Sequence, residues 1–171
     1  MLKGIDVSGS NGIIDFTKVR NNNNFVIIKL GNIYDTDANY IDSKFEQNYK
    51  NAVANGLKVG VYHFLTARSI SQAEHQAQFF VSLISNKSID CKLAMDFENF
   101  GNLNKKQINE IAIAFINKVK ELSGKEIVVY SNTYTATYVF EGEVTDYPLW
   151  VAQYGVNQPQ DNGNWTSWVG W

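Results

Sequence analysis

Short apolar runs alternate with amphipathic segments from one end of the chain to the other. The runs are KGIDVS (3–8), FVIIKLG (25–31), LKVGVYHFL (57–65), CKLAMDFE (91–98), KEIVVYS (125–131), PLWVAQY (148–154) and SWVGW (167–171). They are rich in Val, Ile and aromatics and apolar at both parities, the pattern of strands buried on both faces of a parallel sheet. Between them the spacing becomes helical. Ser43 to Glu46 has the form of a capping box, with Phe45, Tyr49 and Val53 on one face and a stop at Gly56. Ser71 to Glu74 opens a second helix with Ala73, Ala77, Phe80 and Ile84 inward. A third starts at Asn104 with Gln107 at its third position. It carries a stripe of Ile108, Ile111, Ala112, Phe115, Val119 and Leu122, and ends at Gly124. Residues 21–24 read as a polar linker and 158–164 as a loop.

Strand-helix alternation of this kind predicts an α/β fold in one domain. An open doubly wound sheet should carry a GxGxxG phosphate loop after its first strand, and SGSNG lacks it. A closed barrel is therefore favoured, although 171 residues is short for eight full βα units.

In a parallel barrel, functional groups gather at the C-terminal ends of the strands. Those ends offer Asp6, Lys29, Tyr62 and His63, Asp96 and Glu98, Tyr130 and Ser131, and Gln153 and Tyr154. Side chains alternate along a strand, so parity sorts them. Packing Leu93, Met95 and Phe97 against helices sends Ala94, Asp96 and Glu98 into the barrel mouth. Packing Ile5 and Val7 outward leaves Gly4, Asp6 and Ser8 inward, and Gly60, Tyr62 and Phe64 face in while Val59, Val61 and His63 face out. Three carboxylates and a tyrosine then converge. Acids two apart on a strand have Cβ atoms roughly 6.5 Å apart, which raises at least one pKa by repulsion and desolvation. Two acids at a cleft are the usual equipment of glycoside hydrolysis. The competing reading is a pair of acids that caps the next element, since Asn99 follows.

Composition narrows the alternatives. A net charge of -2 gives no basic field for a nucleic-acid backbone. No apolar run reaches the ~18 residues of a membrane span, and MLKGIDVSGS lacks the apolar region of a secretory signal. The single Cys91 excludes an intrachain disulfide, and with only His63 and His75 no metal site is readable, so no cofactor is expected. His75 reads as exposed and His63 as a hydrogen-bonded packing residue. Lys29 is a solvated strand end or a partner for an acid, and Tyr34, Asp35, Asp37 and Tyr40 form a polar loop above the mouth. Nine Tyr and four Trp suit a surface that stacks on sugars as well as a generously packed core.

GIDVS with the following NGIIDF, then FVIIK, FEQNYKNAVANGLKVGVYHF, AMDFE, IVVYSN and LWVAQYG occur in an order that resembles the family 25 glycoside hydrolases, the Chalaropsis-type lysozymes common among phage endolysins. The resemblance implies an irregular TIM-like (β/α)5(β)3 barrel. It implies an N-acetylmuramidase that cleaves the β-1,4 bond between N-acetylmuramic acid and N-acetylglucosamine in cell-wall peptidoglycan. The family's amino-terminal aspartate falls on Asp6, its DxE pair on Asp96 and Glu98, and its strand tyrosine on Tyr62. The glutamate would be the proton donor, and the aspartate of the pair would steer the substrate's 2-acetamido group. Tyr62, Tyr130, Gln153 and Tyr154 would line the sugar cleft. A lysin without a signal peptide would accumulate in the host cytoplasm before reaching the wall. The rivals are a chitinase-like hydrolase, of whose longer DxxDxDxE run only the end is present, and a non-catalytic wall-binding module.

The sequence departs from the family in two places. Where most members follow FVIIK with an Ala-Thr-Glu-Gly type segment, this chain has Leu30-Gly31-Asn32. The chain stops at Trp171, where members run on through a WQY-type strand to a final aspartate. It reads as a piece of a longer lysin lacking its last barrel strand and a wall-binding domain, with self-association through the open barrel edge or a retained cleaved segment as the expected remedy.

Overall fold

The computed structural model describes residues 2–33, 39–159 and 161–171. Strands β1 (Gly4–Val7), β2 (Phe25–Ile33), β3 (Asn39–Ile41), β4 (Lys58–Phe64), β5 (Leu93–Asp96), β6 (Ile127–Asn132) and β7 (Leu149–Ala152) form one sheet. Its order is β1-β2-β4-β5-β6-β7, parallel throughout, with β3 antiparallel on β2. The crossovers carry helices α1 (Phe16–Asn22), α2 (Phe45–Ala54), α3 (Ile70–Ile84), α4 (Lys105–Ser123) and α5 (Thr133–Tyr138). Asp6 on β1 and Trp150 on β7 line the same cavity, so the sheet curls until its first and last strands face one another. The fold is α/β with a curled parallel sheet, and no pairing joins β1 to β7 among the described residues.

The outer face of the sheet is the core. Val26, Ile28 and Leu30 of β2, Val59 and Val61 of β4, and Leu93, Met95 and Phe97 at β5 are buried there with Phe80 of α3 and Phe115 of α4. Each inward-outward division expected from parity on β1, β4 and β5 is observed. His63 is fully buried on the outer side, where its Nε2 bonds Gln76 Oε1 at 3.0 Å and its ring stacks on Phe115. His75 is exposed.

Helix starts differ from the sequence reading. Helix α2 takes no cap from Ser43; Asp42, nearly buried, accepts from Lys44 N with one oxygen and from Gly9 N with the other. Helix α3 is capped by Ser69, not Ser71, because Ser69 holds the extended conformation a cap requires and accepts from Gln72 N. Asn104 caps α4 as expected, in a reciprocal box with Gln107. Val53 and Leu122 are exposed, each lying in the last turn of its helix.

Three elements have no counterpart in the expectations. Residues 21 and 22 end helix α1 instead of opening a linker; only Phe16 of that helix is buried, too little for a helical period to show. Strand β3 is only three residues long and exposed throughout, too short for an alternating pattern to mark it. It accounts for Leu30-Gly31-Asn32: Gly31 lies opposite Ile41, and any side chain there would strike the Tyr40 carbonyl. Helix α5 follows β6 directly. Of the segment 167–171, only Gly170 pairs, in a single parallel bridge to Trp150.

Candidate active site

The strand ends open on a cleft with Asp6, Tyr62, Asp96, Tyr130 and Trp150 as its walls. Asp6, Tyr62, Asp96 and Tyr130 were all expected there. Trp150 was not singled out, yet its neighbours Leu149 and Val151 are buried outward, and the parity argument applied to this strand would have found it.

The two carboxyls of the DxE pair occupy different environments. Asp96 is largely buried, and its Oδ1 is out of water with no hydrogen-bond partner. Burial pushes its pKa up to about 8, reinforced by Glu98 and Asp6, while Lys29 pulls the other way. Lys29 has its Nζ 4.9 Å from the centre of the Phe64 ring. Glu98 is exposed beyond the end of β5 and meets Asn132 Nδ2 at 3.5 Å through Oε1. Neither acid caps α4, whose cap is Asn104. The capping alternative is thereby excluded.

The loop that carries Glu98 is braced from behind. Arg68 donates to the Asn99 carbonyl at 2.8 Å and to Asn99 Oδ1 at 3.0 Å. Tyr62 bonds the Ser8 side chain, and burial with the charges of Asp96, Asp6 and Asp42 raises its pKa. Tyr130 is raised in the same way, by burial and then by Glu98. Both phenols stay protonated and can donate to a ligand.

Gln153 and Tyr154 are not among the cleft walls, because β7 ends at Ala152. The Gln153 carbonyl accepts from Trp171 Nε1 at 2.9 Å. Tyr154 is 89% exposed, and its phenol acts on that of Tyr130 from the rim. Tyr34, Asp35 and Asp37 lie outside the described residues, and Tyr40 sits on β3. Ser131 is buried away from the cleft and bonds the Asn132 carbonyl. Sequence reasoning missed Asn132, which follows from the same inward parity as Tyr130.

Among the described residues no three His, Cys, Asp or Glu side chains converge as metal ligands do, and no helix is long and apolar enough to cross a membrane.

The model of the glycosyl hydrolases family 25 matches residues 5–171. The chain is 36% identical to the autolytic lysozyme of Clostridium acetobutylicum over 166 residues, covering 92% of this chain and 47% of the relative. It is 27% identical to lysozyme M1 of Streptomyces globisporus, covering 99% and 60%. The crystal structure of the CTP1L endolysin superposes with a TM-score of 0.79 at 28% identity, covering 95% of this chain and 56% of that one. The chain thus spans about half the length of these relatives.

Proposed function

The chain belongs to family 25 of the glycosyl hydrolases, and on that premise we propose that it is an N-acetylmuramidase. It hydrolyses the β-1,4 bond between N-acetylmuramic acid and N-acetylglucosamine in peptidoglycan. The observation that carries this reading is the cleft in which Asp6, Tyr62, Asp96, Tyr130 and Trp150 converge beside Glu98. Similarity to an autolytic lysozyme and an endolysin supports action at the bacterial cell wall. Residues 1–171 form the catalytic domain. The parallel strand order and the Gly170 bridge on Trp150 support an irregular (β/α)5(β)3 barrel.

Glu98 is the general acid and protonates the glycosidic oxygen as the bond to C1 breaks. The 2-acetamido carbonyl oxygen of the same sugar attacks C1 and forms an oxazolinium ion. Water then opens this ring, giving its proton to Glu98. Asp96 steers the acetamido group. Near neutral pH burial keeps a proton on Asp96, and that proton passes to solvent when the acetamido N–H docks against the carboxyl. Positive charge developing at the acetamido nitrogen favours the Asp96 anion, so the interaction strengthens in the transition state. Asp6 raises the charge density around Asp96 and holds the incoming water, and Tyr62 and Tyr130 donate to sugar oxygens. Trp150, standing edge-on to Tyr130, offers an apolar wall. Gln153 and Tyr154 serve the rim.

The test is end-group analysis. Digested peptidoglycan, reduced with borohydride and analysed by mass spectrometry, should contain new muramitol ends. Glucosaminitol ends, or no cleavage, would sink the muramidase reading in favour of another hydrolase or a binding module. Because Asp96 and Glu98 share one strand end, they need not flank the bond as two independent acids. Early product followed by NMR should therefore be the β-anomer, and an initial α-anomer rules out the acetamido route.

A further inference from the structure

Asn132 closes β6 and starts α5, and its side chain works in both directions. Oδ1 accepts from Thr135 N at 2.8 Å, which caps the helix. That bond fixes the amide: turned over, it would set an NH2 against a backbone N–H. Nδ2 is therefore the atom that faces Glu98 Oε1, at 3.5 Å. Asn132 can act on Glu98 only as a donor.

We propose that Asn132 is a positioning residue for the general acid, holding Glu98 Oε1 as a permanent acceptor so that Oε2 carries the transferable proton toward the glycosidic oxygen. This rests on the assignment of Glu98 as the acid. An amide N–H has nothing to accept a proton with, so the carboxyl oxygen it faces stays the unprotonated one. Catalytic hydrogen bonds tighten when substrate excludes water, so the 3.5 Å contact has room to shorten during turnover. Helix α5 supplies the rigidity: the cap that anchors its first turn also sets the height of the donor over β5. Asp96 from β5 and Tyr130 from β6 also face Glu98 and respond to its charge, while Arg68 grips the neighbouring Asn99. A readout must therefore resolve Glu98 from Asp96.

The experiment compares the wild-type chain with Asn132→Ser and Asn132→Asp, both of which keep an oxygen to cap α5. Carboxyl carbon-13 NMR follows the Glu98 and Asp96 titrations separately, and thermal melts follow the fold. Losing a donor raises a carboxyl's titration midpoint. Asn132→Ser should move the Glu98 midpoint up by about half a pH unit or more, and Asn132→Asp further, with melting temperatures near wild type. The alkaline limb of kcat/KM should move with it. An unchanged Glu98 midpoint in Asn132→Ser overturns the proposal, even if Asn132→Asp shifts it, because charge alone would then be responsible. Loss of melting temperature without a midpoint shift marks Asn132 as a helix cap and nothing more, and likewise overturns it. The titration needs no turnover, so a chain that releases no muramitol ends would refute the muramidase reading without deciding this one.

Discussion

His63 and Asp96 sit one register step apart on neighbouring strands, since His63 pairs with Met95 and Phe64 with Asp96. Both are withdrawn from water, and burial drives each toward its neutral form: His63 falls to about 4 and Asp96 rises to about 8. Yet His63 points outward between Phe80 and Phe115, sealed under α3 and α4, while Asp96 points into an open cleft. A displaced pKa therefore does not by itself mark a catalytic group. What decides is whether a ligand can reach it, and on a strand that is a matter of one residue of parity.

The largest test of this division concerns the cleft face. Glu98→Gln should lower turnover on peptidoglycan by about 10² to 10⁴ and leave the melting temperature unchanged, because Glu98 is exposed. A variant that loses stability instead of turnover would break the comparison. Asp96→Asn should cost about 10² to 10³ in kcat, since the amide cannot offer a negative charge to the acetamido nitrogen.

The same pair predicts a stability profile with opposing slopes. The folded chain binds a proton at His63 less readily than the unfolded chain between about pH 4 and 6.5, so this group's contribution is full above 6.5 and lost as pH falls toward 4. Asp96 does the reverse: its carboxyl holds a proton in the folded state up to about pH 8, so its contribution is present at acid pH and lost as pH rises. In the wild type these slopes oppose each other between pH 4 and 6.5. Asp96→Asn removes one of them and should expose an acid-side loss on the order of 3 kcal/mol from His63. His63→Gln should do the opposite and leave stability falling as pH rises. Melts across this range in both single variants and the double variant check the signs. A profile that Asp96→Asn leaves unaltered would mean that Asp96 is not desolvated.

The smallest expected effect lies at the rim. Tyr154→Phe removes a rim hydroxyl beside Tyr130 and should raise KM by roughly 2- to 10-fold, the worth of one hydrogen bond to the ligand, without touching kcat. A drop in kcat would move Tyr154 from the rim into the chemistry.

The sequence by itself determined the alternation of strands and helices, and it determined which side of β1, β4 and β5 faces the core. Those properties follow from apolar spacing, because burying Leu93, Met95 and Phe97 leaves Asp96 and Glu98 only one direction to point. It also carried the family resemblance, which the match over residues 5–171 bears out. Short elements left no such trace: β3, α1 and α5 are held by their partners in the fold and not by their own periodicity. The choice of caps was equally hidden: Ser71 has the right chemistry, but Ser69 stands where the chain enters α3, and α2 begins after Lys44 with no side-chain cap at all. Only the tertiary structure decided that Asp96, and not the exposed Glu98, is the deeply desolvated acid, and that Asn132 reaches Glu98. Both depend on how far the sheet curls and where α5 docks, distances set by packing between elements remote in sequence.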